Sequence, residues 1–435
     1  MDVYEPIGDD LPERENRLKL QDLYQRFCAF LRRGSAFVHL CTAAAVFLFA
    51  FGIFAVIGKS SGPSDWEIAI RNELLHRNFE NHATVLGEYS EDPAAIIVEA
   101  LKRDQVLIGA STAVELYIQF NDFNRDFKRH DNSISEKIER FATFYRNVTR
   151  IREFNMNVHK TYTMKINQFA DMTPEQFMSL QGTRASKIRV SKGIPDSQVA
   201  AVGNQKGPNL KSEVRQTGNR FADISPEDFI DLRKDNYMTP VKDQGNCGSC
   251  WAFSLIGVAE PFFKHKRDID VVLSEQNLVD CVKECHGCDY GNSYFAYEYI
   301  RDHGVYRLAS YPYTAKSGPC VEPLNEPRLT ISRFGLSENP DLPQLLKQYG
   351  PLTVYVAVNV DWQFYSSGIL DSCADEINHA VVLAGVGQDD DGPFWLIKNS
   401  WGTSWGEEGY VRLARGSSAF DNECGLAHMA LYASA

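Results

Sequence analysis

Residues 244–254, QGNCGSCWAFS, constrain the fold of this 435-residue chain more than any other stretch. Two glycines frame a turn, and the apolar run 251–259 then follows without a break. A run apolar on all sides reads as a buried helix, beginning at Cys250 with Ser249 or Cys250 as its cap. A thiol is a strong nucleophile only as the thiolate, and the positive end of a helix favours that form. The pair Cys247 and Cys250 is also compatible with a structural cysteine pair on a core helix. A zinc site would need two further ligands at suitable spacing.

Two downstream segments complete a set. His379 precedes an apolar, strand-like run, and Asn399 ends the run FWLIK beside Trp401. Cysteine, histidine and asparagine in this order resemble the papain and cathepsin L family. Further matches are TPVKDQ at 239–244, LSEQNLVDC at 273–281, YPY at 311–313 and GTSWGEEGY at 402–410. The resemblance covers the C-terminal half and, through the family's zymogens, the region before it. It implies an α+β fold of two lobes, one helical and one a β-barrel, with a cleft between them. The coarse pattern agrees: helical first, then strands at 350–358, 379–385, 394–398 and 410–413. Pro261 falls inside the central helix, where it predicts a kink or early end near 257–261 at a cost of about 3 kcal/mol.

The resemblance also implies a reaction: peptide hydrolysis through a thioester acyl-enzyme, with no cofactor and no metal. Cys250 would attack, His379 would pair with it and shuttle the proton, and Asn399 would orient the imidazole under the shield of Trp401. Gln244 and the backbone N–H of Cys250 would bind the oxyanion. Gly291 would present backbone groups to substrate. Ser293, Tyr355, Ile377, Ala380 and Met429 align with the main specificity pocket; none is acidic, so an apolar P2 residue (the one before the residue whose carbonyl is attacked) is expected. Tyr290 stands where glycine is usual and narrows the next subsite. No histidine-bearing insertion blocks the cleft, so an endopeptidase is expected, acting on protein or peptide substrates and open to cystatin-like inhibitors. The competing reading is a non-catalytic, membrane-tethered binding protein on the same scaffold, which would predict loss of Cys250, His379 or Asn399.

The net charge of −12 argues against a nucleic-acid partner. The charge is uneven. Residues 223–435 carry close to −14, while 59–222 carry about +3. The split is compatible with ordinary surface charge or with an attraction between these halves; protonating carboxylates would weaken that attraction, so processing is expected in acid. Residues 36–58 are uncharged and apolar, long enough to span a bilayer. Arg26, Arg32 and Arg33 precede them and only Lys59 follows closely, which places 1–35 in the cytosol and the bulk outside. This is the pattern of a type II signal anchor. The anchor and long pro-region together resemble the membrane-anchored papain-like proteases of apicomplexan parasites, which implies an acidic endolysosomal or food-vacuole-like destination.

Residues 59–111 read as a lumenal spacer with weak helical patterns at 66–75 and 93–101. Beyond them, Glu136, Arg140, Phe144, Asn147, Ile151 and Asn155 fall within about 100° of arc on one helix. A stripe mixing charge, amide and aromatic groups implies specific polar packing. It matches the pro-helix motif of cathepsin L-like zymogens, and NQFAD at 167–171 resembles the companion motif, with Lys165 where glycine is usual. The resemblance implies an inhibitory pro-domain at 112–180, followed by a segment crossing the cleft in a non-cleavable direction. Residues 181–222 read as a processing linker, cut within 205–226, and 223–435 as the peptidase domain. The sequon at Asn147 sits inside the packed stripe, which argues against its use.

Cys28 and Cys41 lie before or within the apolar span, and the other eight cysteines lie in the acidic half. In an oxidising lumen disulfides are expected, but spacing alone leaves the pairing open. The resemblance implies Cys247–Cys288, Cys281–Cys320 and Cys373–Cys424. Cys285 is then the odd one, expected as a free thiol near the cleft rim.

Overall fold

The computed structural model describes residues 65–77, 92–106, 108–158, 160–183, 229–416 and 424–434. The apolar stretch 36–58 and the expected cut at 205–226 lie outside them. No helix among the described residues is long and apolar enough to cross a membrane. The chain divides into two units, 1–89 and 90–435. Within the first, α1 (Asp65–His76) carries acidic residues in its first turn, Asp65 and Glu67, as the helix dipole favours.

The second unit opens with helices. In α2 (Pro93–Arg103), Asp92 accepts from the Ala94 N–H, proline occupies the first turn, and Lys102 and Arg103 face the negative end. α3 (Ala110–Asp126) and α4 (Ile134–Asn155) follow. Ser133 caps α4 by accepting from the Glu136 N–H. Although α2 falls in the stretch read as spacer, its apolar face (Ile96, Ile97, Leu101) is buried and it packs on α4. Phe120 and Phe123 of α3 meet Phe144 of α4 with ring centroids 5.5 and 5.3 Å apart.

The polar members of the α4 stripe each have a partner. Arg140 donates to Asp171 Oδ2 through Nε at 2.9 Å and Nη2 at 2.7 Å. Asn147 Nδ2 donates to the carbonyls of Ala170 and Met172 at 2.9 and 2.8 Å, and this buried amide has no room for a glycan. Asn155 pairs with both backbone groups of Met164. Met164 belongs to β1 (Tyr162–Met164), and α5 (Pro174–Ser179) follows, closed by a capping box between Thr173 and Gln176.

The remaining elements are β2 (Ile230–Asp231), α6 (Cys250–Arg267), α7 (Glu275–Cys281), α8 (Ser293–His303), β3 (Arg333–Glu338), α9 (Leu342–Tyr349), β4 (Leu352–Val356), β5 (Tyr365–Leu370), β6 (His379–Asp389), β7 (Gly392–Lys398), β8 (Tyr410–Ala414) and β9 (Met429–Ser434). α6 is the central helix. α7 and α8 pack on it from one side, and β6, β4 and β9 from the other. Every residue from Cys250 to Phe263 is buried.

Two expectations are corrected. The strands do not close into a barrel. They form a mixed, open sheet in the order β1-β5-β8-β7-β6-β4-β9-β3, with β2 added on β6. The pairs are antiparallel except β5 with β8. Closure would require the two end strands to pair, but β1 of the pro-region occupies one end and β3 the other. The catalytic half thus keeps an α+β, papain-like arrangement without a barrel. The second correction concerns the early end that Pro261 predicts as the alternative to a kink: α6 runs through it to Arg267. Burial along this stretch offsets the lost hydrogen bond, because helices in proteins are held mainly by packing.

Disulfides join Cys247 to Cys288, Cys281 to Cys320 and Cys373 to Cys424. Cys250 and Cys285 are free. Cys285 is buried rather than at a rim, its sulfur beside the Asn292 N–H, and burial pushes its thiol up to about 12.

Candidate active site

Segments from both halves of the sheet-and-helix frame meet at Cys250, the first residue of α6. Ser249 does not cap this helix with its side chain. Its Oγ pairs instead with the Tyr313 hydroxyl at 2.7 Å, and that hydroxyl donates to the Gln244 carbonyl at 2.7 Å. Gln244 is fixed further by Ser400: its N–H donates to the Ser400 carbonyl at 2.8 Å, and its Oε1 accepts from Ser400 Oγ at 2.6 Å. Its Nε2 then donates to the carbonyls of Cys247 and Leu180, at 2.9 and 3.2 Å.

His379 opens β6 opposite Val356 of β4 and is fully buried. Its Nε2 meets Asn399 Oδ1 at 2.8 Å, which leaves Nδ1 without a hydrogen bond within this chain. Asn399 follows the last residue of β7 and is held by its N–H to the Gly409 carbonyl at 3.0 Å. The Trp401 indole stacks on the imidazole, with centroids 4.9 Å apart and planes at 28°. Phe169 and Phe177 of the pro-region meet that indole edge-on. Burial pushes the Cys250 thiol up, but the charge of His379, with Thr183 and the Ala380 backbone beside the sulfur, outweighs it and holds the thiol below its ordinary value.

The cleft is filled by the chain itself. Gly182 passes so close to Gly248 that a Cβ there would lie 1.7 Å from the Gly248 carbonyl oxygen. The Gly182 carbonyl accepts from the Gly291 N–H at 2.8 Å, and the Thr183 N–H donates to the Asn378 carbonyl at 3.0 Å. Thr183 Oγ1 reaches Cys250 Sγ at 3.5 Å. Gly291 is the required residue at its own position, since a Cβ would sit 2.4 Å from the Trp251 ring. The Leu180–Thr183 contacts and the Ser400 brace were not read from the sequence. The one local signal was Gly182 at the linker's edge.

The expected pocket residues are brought near one another. Tyr355 and Ala380 face each other across β4 and β6, and Met429 joins the same buried cluster, with Ile377 packed against it. Ser293 opens α8 and meets Ser254 of α6, Oγ to Oγ, at 3.0 Å. The Tyr290 ring lies tilted by 33° against His286, with centroids 4.2 Å apart.

Comparison with known proteins agrees with this geometry. Residues 226–434 match the papain family cysteine proteases, and residues 120–177 match the cathepsin propeptide inhibitor domain (I29). The chain is 36% identical over 311 residues to vignain of Phaseolus vulgaris, covering 69% of this chain and 80% of that protein. It is 29% identical over 425 residues to vinckepain-1 of Plasmodium vinckei, covering 86% and 79%. Among solved structures, recombinant stem bromelain precursor shares 34% identity at a TM-score of 0.60, covering 74% of this chain and 99% of that one. Procathepsin L 3 of the Tenebrio molitor larval midgut shares 32% at 0.59, with the same coverage. The chain therefore belongs to the papain family of cysteine proteases, as an endopeptidase zymogen that carries its own inhibitory pro-domain.

Proposed function

We propose that Cys250 is the nucleophile of this endopeptidase and His379 its ion-pair partner. The observation that carries this is the assembly at the start of α6: a thiol held below its ordinary value beside an imidazole that Asn399 orients at 2.8 Å. The Cys250 thiolate attacks the scissile carbonyl and forms a tetrahedral oxyanion. Gln244 Nε2, anchored by Ser400 through its Oε1, and the Cys250 N–H receive that charge. Losing one such donor costs about 3–4 kcal/mol of transition-state stabilisation. Protonated His379 gives its proton to the leaving amine, which leaves a thioester on Cys250. It then takes a proton from water, whose oxygen attacks the thioester and releases the acid. Trp401 screens the His379–Asn399 bond from water.

In the zymogen, Leu180, Gly182 and Thr183 occupy the groups that substrate needs: Gln244, Gly291 and the thiol itself. Activation is removal of this segment, within 205–226 and in acid. The residues assigned to the pocket carry no charge, which supports an apolar P2 residue. Residues 36–58 anchor the zymogen as a type II membrane protein with its catalytic half in the lumen of an acidic endolysosomal or food-vacuole-like compartment, and cystatin-like inhibitors enter the emptied cleft. Support for this comes from the apolar span with its flanking arginines. Labelling with a thiol-directed epoxide tests the nucleophile. Acid-processed enzyme should take one label, Cys250→Ala none, and intact zymogen little. Equal labelling of Cys250→Ala would sink the assignment.

A further inference from the structure

No step of the proposed chemistry uses Tyr355, a residue assigned to the pocket. β4 sets it directly opposite Ala380, the residue after His379. From there the ring runs fully buried to the start of α8, where its hydroxyl donates to Asn292 Oδ1 at 3.3 Å and lies within hydrogen-bonding reach of Ser293. Asn292 is itself fixed, because its Oδ1 also accepts from the Tyr294 N–H as the cap of α8. Ser293 is tied in turn to α6 through Ser254. The phenol is therefore held at both ends, at its Cα by the sheet and at its hydroxyl by the helix cap. Of the residues assigned to the pocket, Ala380 stands at its Cα end and Ser293 at its hydroxyl end, and Met429 and Ile377 belong to the same cluster.

A ring held this way does not swing aside for a substrate. Moving it would strip a buried hydroxyl of its partner, besides the packing lost. Apolar pockets discriminate by about 10–200-fold for each methylene group added or removed. A phenol lying across the walls therefore decides how large a side chain enters.

We propose that Tyr355 is the floor of a shortened pocket, so that the enzyme selects substrates with a small apolar residue, Ala or Val, at P2 and discriminates against Leu and Phe. This rests on the reading of Cys250 as nucleophile and of these residues as the pocket beside it, and the experiment separates the two. Acid-processed enzyme is titrated with the thiol-directed epoxide so that rates are expressed per active site. It is then assayed on fluorogenic peptides with Arg at P1 and Ala, Val, Leu or Phe at P2. The expected kcat/KM for Ala and Val exceeds that for Phe by at least about tenfold. Tyr355→Ala raises kcat/KM for Phe by a similar factor, chiefly through KM, and reverses the ranking. Tyr355→Phe keeps the ring but frees its far end, so the ranking holds with a smaller ratio. If Tyr355→Ala does not fold, the wild-type ranking and Tyr355→Phe decide. Enzyme that takes up no epoxide overturns the reading of Cys250 and this proposal with it. Labelled wild-type enzyme that favours Leu or Phe, or a Tyr355→Ala enzyme with the wild-type ranking, overturns the proposal alone.

Discussion

Gly182 touches the turn that leads into α6, and any side chain there would meet backbone, which does not yield as a flexible side chain would. With a Cβ 1.7 Å from the Gly248 oxygen, Gly182→Ala must lift the segment off Gly248 and, with it, Thr183 off the thiol. Overpacking of this kind costs about 1–3 kcal/mol, which is a roughly 5–150-fold gain in open cleft. The zymogen of Gly182→Ala should therefore be labelled by the epoxide before processing, at a rate raised by that order, while the processed enzyme, having shed residue 182, is unchanged. Wild-type labelling rates in the zymogen would show that this contact does not close the cleft. A second residue-scale prediction concerns charge. The positive charge of His379 is what holds the Cys250 thiol low against burial. His379→Ala should therefore move the pH midpoint of iodoacetamide alkylation upward and cut the alkylation rate at pH 5–6 by more than about tenfold. An unchanged midpoint would mean that the helix start alone supports the thiolate.

At the scale of elements, a buried ionic cluster joins the pieces that carry the site. Lys242, two residues before Gln244, donates to Glu260 on α6 and Glu275 on α7, both at 2.7 Å. Lys398, the neighbour of Asn399, donates to the Thr239 carbonyl at 2.7 Å, and Thr239 Oγ1 donates to Glu260 at 2.6 Å. Burial pushes Glu275 up to about 7 despite Lys242, and burial pushes Lys398 down to about 8. For Glu275 the folded value lies above the unfolded one, so its contribution to stability is full below about pH 4.5 and is lost as pH rises through about 7. Chemical denaturation of wild type should show stability gained on going from pH 7 to 4.5, on the order of 1–3 kcal/mol from this group, and Glu275→Gln should lack that gain. A Glu275→Gln variant with the wild-type pH slope would rule the group out. The sequence made the stripe of α4 legible because each of its polar residues is spaced for one face, and each finds a partner: Arg140 on Asp171, Asn147 on two carbonyls. The order of Cys250, His379 and Asn399 was legible in the same way. The seating of Leu180, Gly182 and Thr183 was not, because their partners are mostly backbone groups, which composition does not display. Nor was the open sheet, since closure depends on which strands meet at the edges, and one edge is taken by a three-residue strand from the pro-region. The helix does not end early at Pro261, because the local cost is set against the burial around it.

Across the whole molecule, the pro-region is held mainly by contacts that do not titrate. β1 pairs with β5, Asn167 Nδ2 donates to the Gln363 carbonyl, Gln363 Nε2 donates to the carbonyls of Phe169 and Met172, and Phe169 and Phe177 lie on Trp401. Charge enters at the rim. Arg150 meets Asp361 at 2.7 Å with both side chains about a third exposed, a pair worth at most about 1 kcal/mol, and Lys165 reaches the Gly406 carbonyl at 2.9 Å. The uneven charge of the sequence adds a proposed longer-range attraction between the acidic catalytic half and the basic region before it. Acid removes negative charge from the catalytic half and weakens that attraction, and salt screens it, with a Debye length falling from about 10 Å at 0.1 M to about 3 Å at 1 M. Two agents that act on one force should act alike. Purified zymogen is therefore expected to process faster at about pH 4–5.5 than at pH 7.5, and at pH 6.5 to process faster as salt is raised. Asp361→Asn should raise the rate at pH 6.5 by no more than about fivefold and reduce its salt dependence, because one exposed pair carries only part of the attraction. Time courses of chain cleavage across these conditions check all three. Equal rates at pH 4.5 and 7.5, with no response to salt, would leave the packed and hydrogen-bonded contacts as the whole of the restraint and refute an electrostatic latch.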